Sequence, residues 1–268
     1  MKFELKWLAW EITRRCNLSC VHCRSSSCLE VATADVKKQQ GFEILEQIAK
    51  FGPISVVLSG GEPLLHPDVF EFADYGHRLG LRMCLASNGT LITPKIAEKI
   101  KQAKINMVAL SLDGATAKTH DLFRNQQGAF SGTLAAAKTL QRQGIPFLVN
   151  SSFTKQNQHE ISEVYQVAKS LGAKAWYLFM VVPTGRGENL FSDLISTESY
   201  DEILKWHYEM EQDEDEMFVR PTCAPHYYRI RFQQAKARGK AIKKKVINAL
   251  YGGRQRMLSW SKNLRYRC

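Results

Sequence analysis

The sequence of 268 residues lacks three features, and each absence excludes a class of protein. It has no run of about 18 apolar residues, which excludes a membrane-spanning helix. It has no second Cys-x2-Cys pair, and its seven cysteines are too few and too unevenly spaced for a secreted disulfide framework. Its N-terminus has neither the apolar stretch nor the cleavage site of a signal peptide, which predicts a cytoplasmic protein.

Acidic residues are missing from the last fifth of the chain. Residues 217–268 contain 14 Lys or Arg and no Asp or Glu, whereas residues 1–216 contain 23 basic and 26 acidic side chains. Such a segment is either a solvated basic tail or a surface that binds an anionic partner. Among anionic partners we favour a polycarboxylate small molecule over nucleic acid, because no nucleic-acid-binding motif accompanies the charge. The change in composition predicts a core domain over 1–216 and a basic C-terminal extension over 217–268.

Short β-rich runs alternate with longer helical patterns through the predicted core domain. Six consecutive β–α units require a mostly parallel sheet with helices outside it, joined by right-handed crossovers. Six units are fewer than the eight of a closed barrel, which leaves an α/β partial barrel or an open doubly wound sheet. The predicted strands cover 8–13, 54–58, 82–87, 106–112, 147–154 and 175–183. The predicted helices cover 41–51, 67–80, 94–104, 130–144, 157–172 and 197–212, and a basic helix follows around 232–250.

Three cysteines, Cys16, Cys20 and Cys23, lie within eight residues directly after the first predicted strand. Thiolates are the usual ligands of iron–sulfur clusters. Three of them can hold one face of a four-iron cluster and leave one iron open to a substrate or cofactor. A zinc site is the alternative, but zinc sites usually pair two such cysteine motifs or add histidines at set spacing.

The Cys-x3-Cys-x2-Cys spacing resembles that of the radical S-adenosylmethionine (SAM) superfamily. The resemblance covers about residues 5–215 and implies a partial (β/α)6 barrel with SAM and one [4Fe–4S] cluster on Cys16, Cys20 and Cys23. It also implies reductive cleavage of SAM to a 5′-deoxyadenosyl radical that abstracts hydrogen, with an electron donor such as flavodoxin or ferredoxin. The family pattern does not use Cys28, which we interpret as a free thiol.

Further motifs fit the same family, each at the carboxyl end of a predicted strand, where such barrels place their sites. The two glycines of Ser59-Gly60-Gly61-Glu62-Pro63 let the backbone approach a ligand, with carbonyl groups and Glu62 free to accept from an ammonium group. Arg124 matches a family arginine that binds the SAM carboxylate, and a guanidinium suits that contact. The residues that the resemblance assigns to SAM are His22, Gly60, Gly61, Glu62, Pro63, Ser87, Asn88, Ser111, Asp113, Arg124 and Pro183.

Several of these assignments have a structural alternative. Taken alone, His22 is an ordinary loop residue, and the segment 59–63 is a turn. Ser87, Asn88, Ser111 and Asp113 are also common turn residues.

Three features narrow the resemblance: residues 10–14 and 22–24, which lead into and close the cysteine motif, residues 183–187, and residues 220–230. Together they resemble the branch of the superfamily that modifies tetrapyrroles, and most of all the haem synthases of the siroheme-dependent pathway. Those enzymes convert two propionates of iron-coproporphyrin III to vinyl groups. The resemblance therefore implies an iron porphyrin as the anionic substrate, and we expect the basic residues of 217–268 to bind its carboxylates.

That branch carries a cysteine-rich extension with an auxiliary cluster, in which Cys223 corresponds to the first cysteine. Here only Cys268 follows, so we expect a second cluster only in a longer chain that continues beyond it. Two alternatives stay open. A peptide-modifying radical SAM enzyme usually has a recognition domain before the barrel, and here the cysteine motif begins at residue 16. A non-catalytic iron–sulfur protein is disfavoured by the intact segment 60–63 and Arg124.

Overall fold

The computed structural model describes residues 5–30 and 35–239. Its centre is one sheet of seven parallel strands in chain order, so that each strand is hydrogen-bonded to the next one along the sequence. Every connection therefore crosses over the same face and returns all carboxyl ends to one edge of an α/β partial barrel. The strands are β1 (Trp7–Thr13), β2 (Ser55–Gly60), β3 (Arg82–Ser87), β4 (Met107–Ser111), β5 (Phe147–Phe153), β6 (Ala175–Met180) and β7 (Phe218–Thr222).

Eight α-helices lie within the described residues, and most of them connect successive strands. Local sequence explains several of their ends: Thr93, for example, accepts a hydrogen bond from the backbone N–H of Ile96, and Pro94 occupies the first helical position. The helices are α1 (Lys38–Ala49), α2 (Val69–Arg78), α3 (Pro94–Gln102), α4 (Ala117–Arg124), α5 (Ala129–Arg142), α6 (Ile161–Ser170), α7 (Thr197–Asp213) and α8 (Tyr227–Ala237).

One continuous apolar core joins the sheet to the helices packed on it. Its largest fully buried side chains include Trp176, Phe72, Phe147 and Phe153. Each such side chain stabilises the fold by about 1.5–3 kcal/mol relative to exposure. The core thus fixes the positions of the strands, and this also fixes where the loops at their carboxyl ends begin.

The α/β fold and its six predicted strand–helix units are confirmed, with ends that differ by a few residues. Helix α4 was not predicted; it is short, and Thr116, directly before it, accepts a hydrogen bond from the backbone N–H of Thr119. Among the described residues, no helix is long and apolar enough to cross a membrane.

The structure differs from the sequence analysis after Glu216, where no regular strand was predicted. Strand β7 pairs with β6 over five residues, and α8 packs on α7 through a second small apolar cluster. The predicted domain boundary therefore falls inside a continuous sheet. The predicted helix around 232–250 begins earlier, as α8, and its part from residue 240 onward lies outside the described residues, as do the other basic residues of 240–268.

Candidate active site

The segment of residues 14–28, which we call the cysteine loop, follows β1 and packs on the end of β2. The segment directly after β2 is hydrogen-bonded to the start of this loop. Gly61 N–H donates to Thr13 O at 2.8 Å, and Glu62 N–H donates to Arg15 O at 2.8 Å. A Cβ atom on Gly60 would lie 2.1 Å from Thr13 O, and one on Gly61 would lie 2.2 Å from Arg15 O. Glycine is required at both positions, because the two backbones are in direct contact.

Arg186 supports the cysteine loop from the other side. Its guanidinium donates to Cys20 O at 2.9 Å and to Ser27 O at 2.7 Å. Next to it, Gly185 adopts φ +60°, and a Cβ there would lie 2.2 Å from Arg24 O. No role could be predicted for Arg186 from the sequence, because its two acceptors are backbone carbonyls about 160 residues earlier in the chain.

The three cysteines of the loop line a cavity of about 600 Å³ at the carboxyl ends of the strands. Cys16 and Cys20 are buried, and Cys23 is partly exposed. Burial raises the pKa of the Cys16 thiol to about 11. Burial also raises the pKa of Cys20, against the opposing effect of the Arg124 charge. Both side chains are therefore neutral thiols at pH 7, and a metal that binds them must displace their protons.

Seven of the eleven residues that the resemblance assigns to SAM line this same cavity, and four do not. The lining residues are His22, Gly60, Gly61, Ser87, Asn88, Ser111 and Arg124. The other four are Glu62, Pro63, Asp113 and Pro183, of which Glu62 and Asp113 contact lining residues through hydrogen bonds or an ion pair. Of the two cysteines expected in an auxiliary cluster, Cys223 lines the cavity and Cys268 lies outside the described residues.

Glu62 is fully buried, and its oxygens are already engaged. They accept hydrogen bonds from Ser87 Oγ at 3.0 Å, from Asn88 N–H at 2.8 Å and from Leu64 N–H at 3.2 Å. Burial raises the pKa of this carboxyl to about 7, although those hydrogen bonds act in the opposite direction. The role of Glu62 in accepting from an ammonium group stays a prediction, and in the structure its carboxyl joins the ends of β2 and β3.

Arg124 lies beside the cysteines and is held by Asp113. Its Nη2 atom is 2.5 Å from Asp113 Oδ2, and its Nη1 atom donates to Cys20 Sγ at 3.7 Å. Burial opposes the charge of Arg124, but Asp113 and Cys20 outweigh burial and raise the pKa of the guanidinium. The site therefore keeps a permanent cation next to Cys20. Asp113 is fixed in turn by Ser152 N–H, which donates to Oδ1 at 2.7 Å.

His22 presents a flat, neutral ring. It stacks on Phe123 with ring centroids 4.2 Å apart and an interplanar angle of 19°. Burial, followed by the Arg124 charge, lowers the pKa of His22 well below its ordinary value, so the ring is uncharged at pH 7. An aromatic surface of this kind suits the packing of a planar ligand.

The cavity wall also contains polar atoms without hydrogen-bond partners, and these bear on whether the wall fits a bound cofactor. Among the described residues that line the cavity, four buried side-chain atoms have no hydrogen bond: Ser27 Oγ, His22 Nδ1, Asn150 Oδ1 and Arg124 Nε. Buried polar groups are normally paired, so such a set indicates a polar ligand. The wall offers three thiols and unpaired polar atoms, which are the groups that would hold an iron–sulfur cluster with a polar organic cofactor beside it.

Comparison with known proteins agrees with this geometry. Residues 10–168 match the family model of the radical SAM superfamily. The chain is 46% identical to an AdoMet-dependent heme synthase of Methanosarcina barkeri, over 89% of this chain and 68% of that protein. It is 36% identical to an AdoMet-dependent heme synthase of Nitratidesulfovibrio vulgaris, over 88% of this chain and 64% of that protein.

A similar fold occurs in Streptococcus suis SuiB bound to S-adenosylmethionine, with a TM-score of 0.72 and 16% identity, over 93% of this chain and 56% of that one. The chain spans about two thirds of the length of the two heme synthases that it matches. The family model covers more than half of the chain, and the identity to the heme synthase of Methanosarcina barkeri is 46%. These two findings settle the classification. The chain belongs to the radical SAM superfamily.

Proposed function

We propose that this chain is the catalytic core of a haem-forming enzyme, which converts propionate side chains of iron-coproporphyrin III to vinyl groups. One observation carries the proposal: Cys16, Cys20 and Cys23 share a cavity with a buried cation, Arg124, and with unpaired polar atoms. The similarity to two heme synthases over most of the chain supports the choice of substrate.

The residues of the cavity wall then have distinct tasks. The three cysteines hold a [4Fe–4S] cluster, which when bound supplies the electron that cleaves SAM. Arg124 offers its unpaired Nε–H to the SAM carboxylate, and the carbonyl groups of the Gly60–Gly61 backbone accept from the SAM ammonium group. His22 and the backbone after β6 flank the adenine. Glu62 acts indirectly, because it keeps Ser87 and Asn88 in place against the cavity.

The atoms and electrons of the proposed reaction balance if one acceptor takes up one electron. A hydrogen atom is removed from the β-carbon of a propionate, carbon dioxide leaves, and one electron passes to an acceptor as the vinyl group forms. The reaction also needs an electron donor to start it, for which flavodoxin or ferredoxin is the proposed partner. A reducing compartment such as the cytoplasm suits a site built from exposed and buried thiols.

The first experiment tests the cofactors. Protein reconstituted with iron and sulfide under anaerobic conditions is expected to contain one four-iron cluster and to convert SAM to 5′-deoxyadenosine with dithionite. The variant with Cys16, Cys20 and Cys23 all changed to Ala is expected to lose both, while Cys28→Ala keeps both. Cluster absorption retained in the triple variant would show that the cluster is held elsewhere.

A second experiment tests the substrate. The reconstituted protein with SAM and iron-coproporphyrin III is expected to form vinyl products, which chromatography and mass spectrometry resolve. SAM cleavage that never alters the porphyrin would leave the cofactor assignment intact and overturn the substrate. A peptide substrate, the alternative from the sequence analysis, would then be tested with the same assay.

A further inference from the structure

The rim of the cavity carries an ion pair that the proposed chemistry of the cofactors does not use. Among the described residues, three charged side chains line the cavity: Glu11, Arg24 and Arg124. Arg124 lies deep and is neutralised by Asp113. Arg24 and Glu11 form a separate pair, with Arg24 Nη2 2.6 Å from Glu11 Oε1.

The burial of the two arginines sets them apart. The side chain of Arg24 is 66% exposed and that of Glu11 is 42% exposed, whereas the side chain of Arg124 is only 10% exposed. An exposed ion pair contributes roughly 0–1 kcal/mol, so Arg24 can change partner at little cost. Arg124 cannot, because leaving Asp113 buried without its cation is expensive. The rim therefore holds a cation that can exchange its partner, and the floor holds one that stays paired with Asp113.

The backbone of Arg24 is nevertheless well fixed. Arg24 directly follows Cys23, and Gly185 packs against its carbonyl oxygen so closely that a Cβ atom would lie 2.2 Å away. Arg186 N–H also donates to Cys23 O at 3.0 Å. Because this backbone is fixed, the movable guanidinium of Arg24 stays within one side-chain length of Cys23, which suits a residue that orients a substrate at the cavity.

We propose that Arg24 is a specificity-determining residue that binds a carboxylate of the substrate at the rim of the cavity. This inference rests on the proposed function, since the substrate there carries four carboxylates. A guanidinium binds a carboxylate through two parallel N–H···O hydrogen bonds. Arg24 donates only one N–H to Glu11 among the described contacts, so it can hold Glu11 and a substrate carboxylate at once.

Arg14 provides a matched control. It is an exposed arginine ten residues earlier, and its guanidinium donates to Ser25 O at 3.2 Å, but it does not line the cavity. Arg14→Gln therefore changes the net charge as Arg24→Gln does, without altering the rim. Arg24→Lys retains the charge and removes the planar pair of donors.

The experiment is an anaerobic absorbance titration of the cluster-loaded protein with iron-coproporphyrin III, with SAM affinity measured in parallel. Arg24→Gln is expected to weaken porphyrin binding about tenfold, as the loss of a charged hydrogen bond implies. Arg24→Lys is expected to lie between that variant and the wild type, and Arg14→Gln to bind as the wild type does. SAM affinity is expected to stay unchanged in all three.

Three outcomes decide against the proposal. Equal porphyrin affinity of Arg24→Gln and the wild type would overturn the role of Arg24 and leave the proposed function standing, whereas a wild type that binds no porphyrin would overturn both. Glu11→Gln removes the negative charge beside Arg24 and is expected to bind the porphyrin at least as tightly as the wild type. A loss there as large as that of Arg24→Gln would assign the effect to the ion pair and not to the arginine.

Discussion

Two regions bring cysteines to the same cavity, and they are built in different ways. In the cysteine loop, three cysteines lie within eight residues and the backbone rests on Gly61 and Arg186. In the C-terminal pair, by which we mean β7 and α8, the single Cys223 reaches the cavity because β7 pairs with β6 at the edge of the sheet. Local spacing is enough to define the first region, whereas the second depends on pairing between distant segments.

The largest expected effect concerns Arg124, which joins the cysteine loop to the floor of the cavity. Arg124→Ala should leave Asp113 as an uncompensated buried charge and cost about 3–5 kcal/mol of folding free energy. It should also weaken SAM binding about tenfold to a hundredfold, as expected for loss of a charged hydrogen bond of about 1.5–3 kcal/mol.

The double variant Arg124→Ala/Asp113→Asn separates the two effects of Arg124. It is expected to regain much of the stability in urea unfolding, because the buried charge is removed with its partner, but not the SAM affinity measured by equilibrium binding. SAM affinity equal to that of the wild type in either variant would leave Arg124 with a structural role alone.

A second prediction tests whether cluster binding by the cysteine loop requires its close contact with Gly61. Gly61→Ala would place a Cβ atom against Arg15 O and force the two backbones apart, at a cost of about 1–3 kcal/mol or more. We expect reduced iron content per chain after reconstitution. Gly52→Ala is the control, since its Cβ meets nothing within 4 Å although its φ is +94°. Equal iron content in both variants would contradict the direct contact.

A third, smaller effect concerns the turn that leads into the C-terminal pair. Glu214 accepts hydrogen bonds from Tyr165 Oη, from Lys169 Nζ at 3.0 Å and from Met217 N–H at 2.8 Å. Burial acts to raise the pKa of Glu214, but these contacts outweigh it and lower the pKa to about 2. We expect Glu214→Gln to cost about 1.5–3 kcal/mol at pH 7.

The pH dependence of that cost follows from the direction of the shift. The folded-state pKa lies below the ordinary value of 4.5, so the stabilisation is complete above pH 4.5 and is lost as the pH falls towards 2. Urea unfolding of the wild type and Glu214→Gln should therefore converge as the pH falls below 4.5. Glu216→Gln, at a side chain that is 73% exposed, should show little difference at any pH. A constant gap between the wild type and Glu214→Gln would refute this account.

The smallest expected effect is at Cys223. Cys223 adopts φ +57° directly after β7. Strands β7 and β1 are the two edge strands of the sheet. We expect Cys223→Ala to retain the cluster of the cysteine loop, with unchanged iron content and unchanged cleavage of SAM. Loss of that cluster would show that the two regions are coupled more closely than their separate construction implies.

Much of the fold could be predicted because its signals are local. The alternation of β-rich runs with helical patterns predicts six strand–helix units, since hydrophobic periodicity and helix ends depend on neighbouring residues. Strand β3 is observed at the predicted residues, 82–87. Strand β7 was missed, because its five residues have an apolar pattern too short to stand out beside a strongly basic composition.

The sequence by itself determined the class of sheet and the cysteine spacing, whereas the close contact of Gly60 and Gly61 with the backbone of Thr13 and Arg15 was visible only in the structure. Tertiary structure decided what the remaining groups do. Glu62 is occupied by Ser87 and Asn88 about 25 residues later, and Asp113 is committed to Arg124. Hydrogen bonds and ion pairs between distant segments leave no periodic trace in a sequence. They form only after the core has fixed the strand ends, which is why the partners of buried polar groups appear in the structure alone.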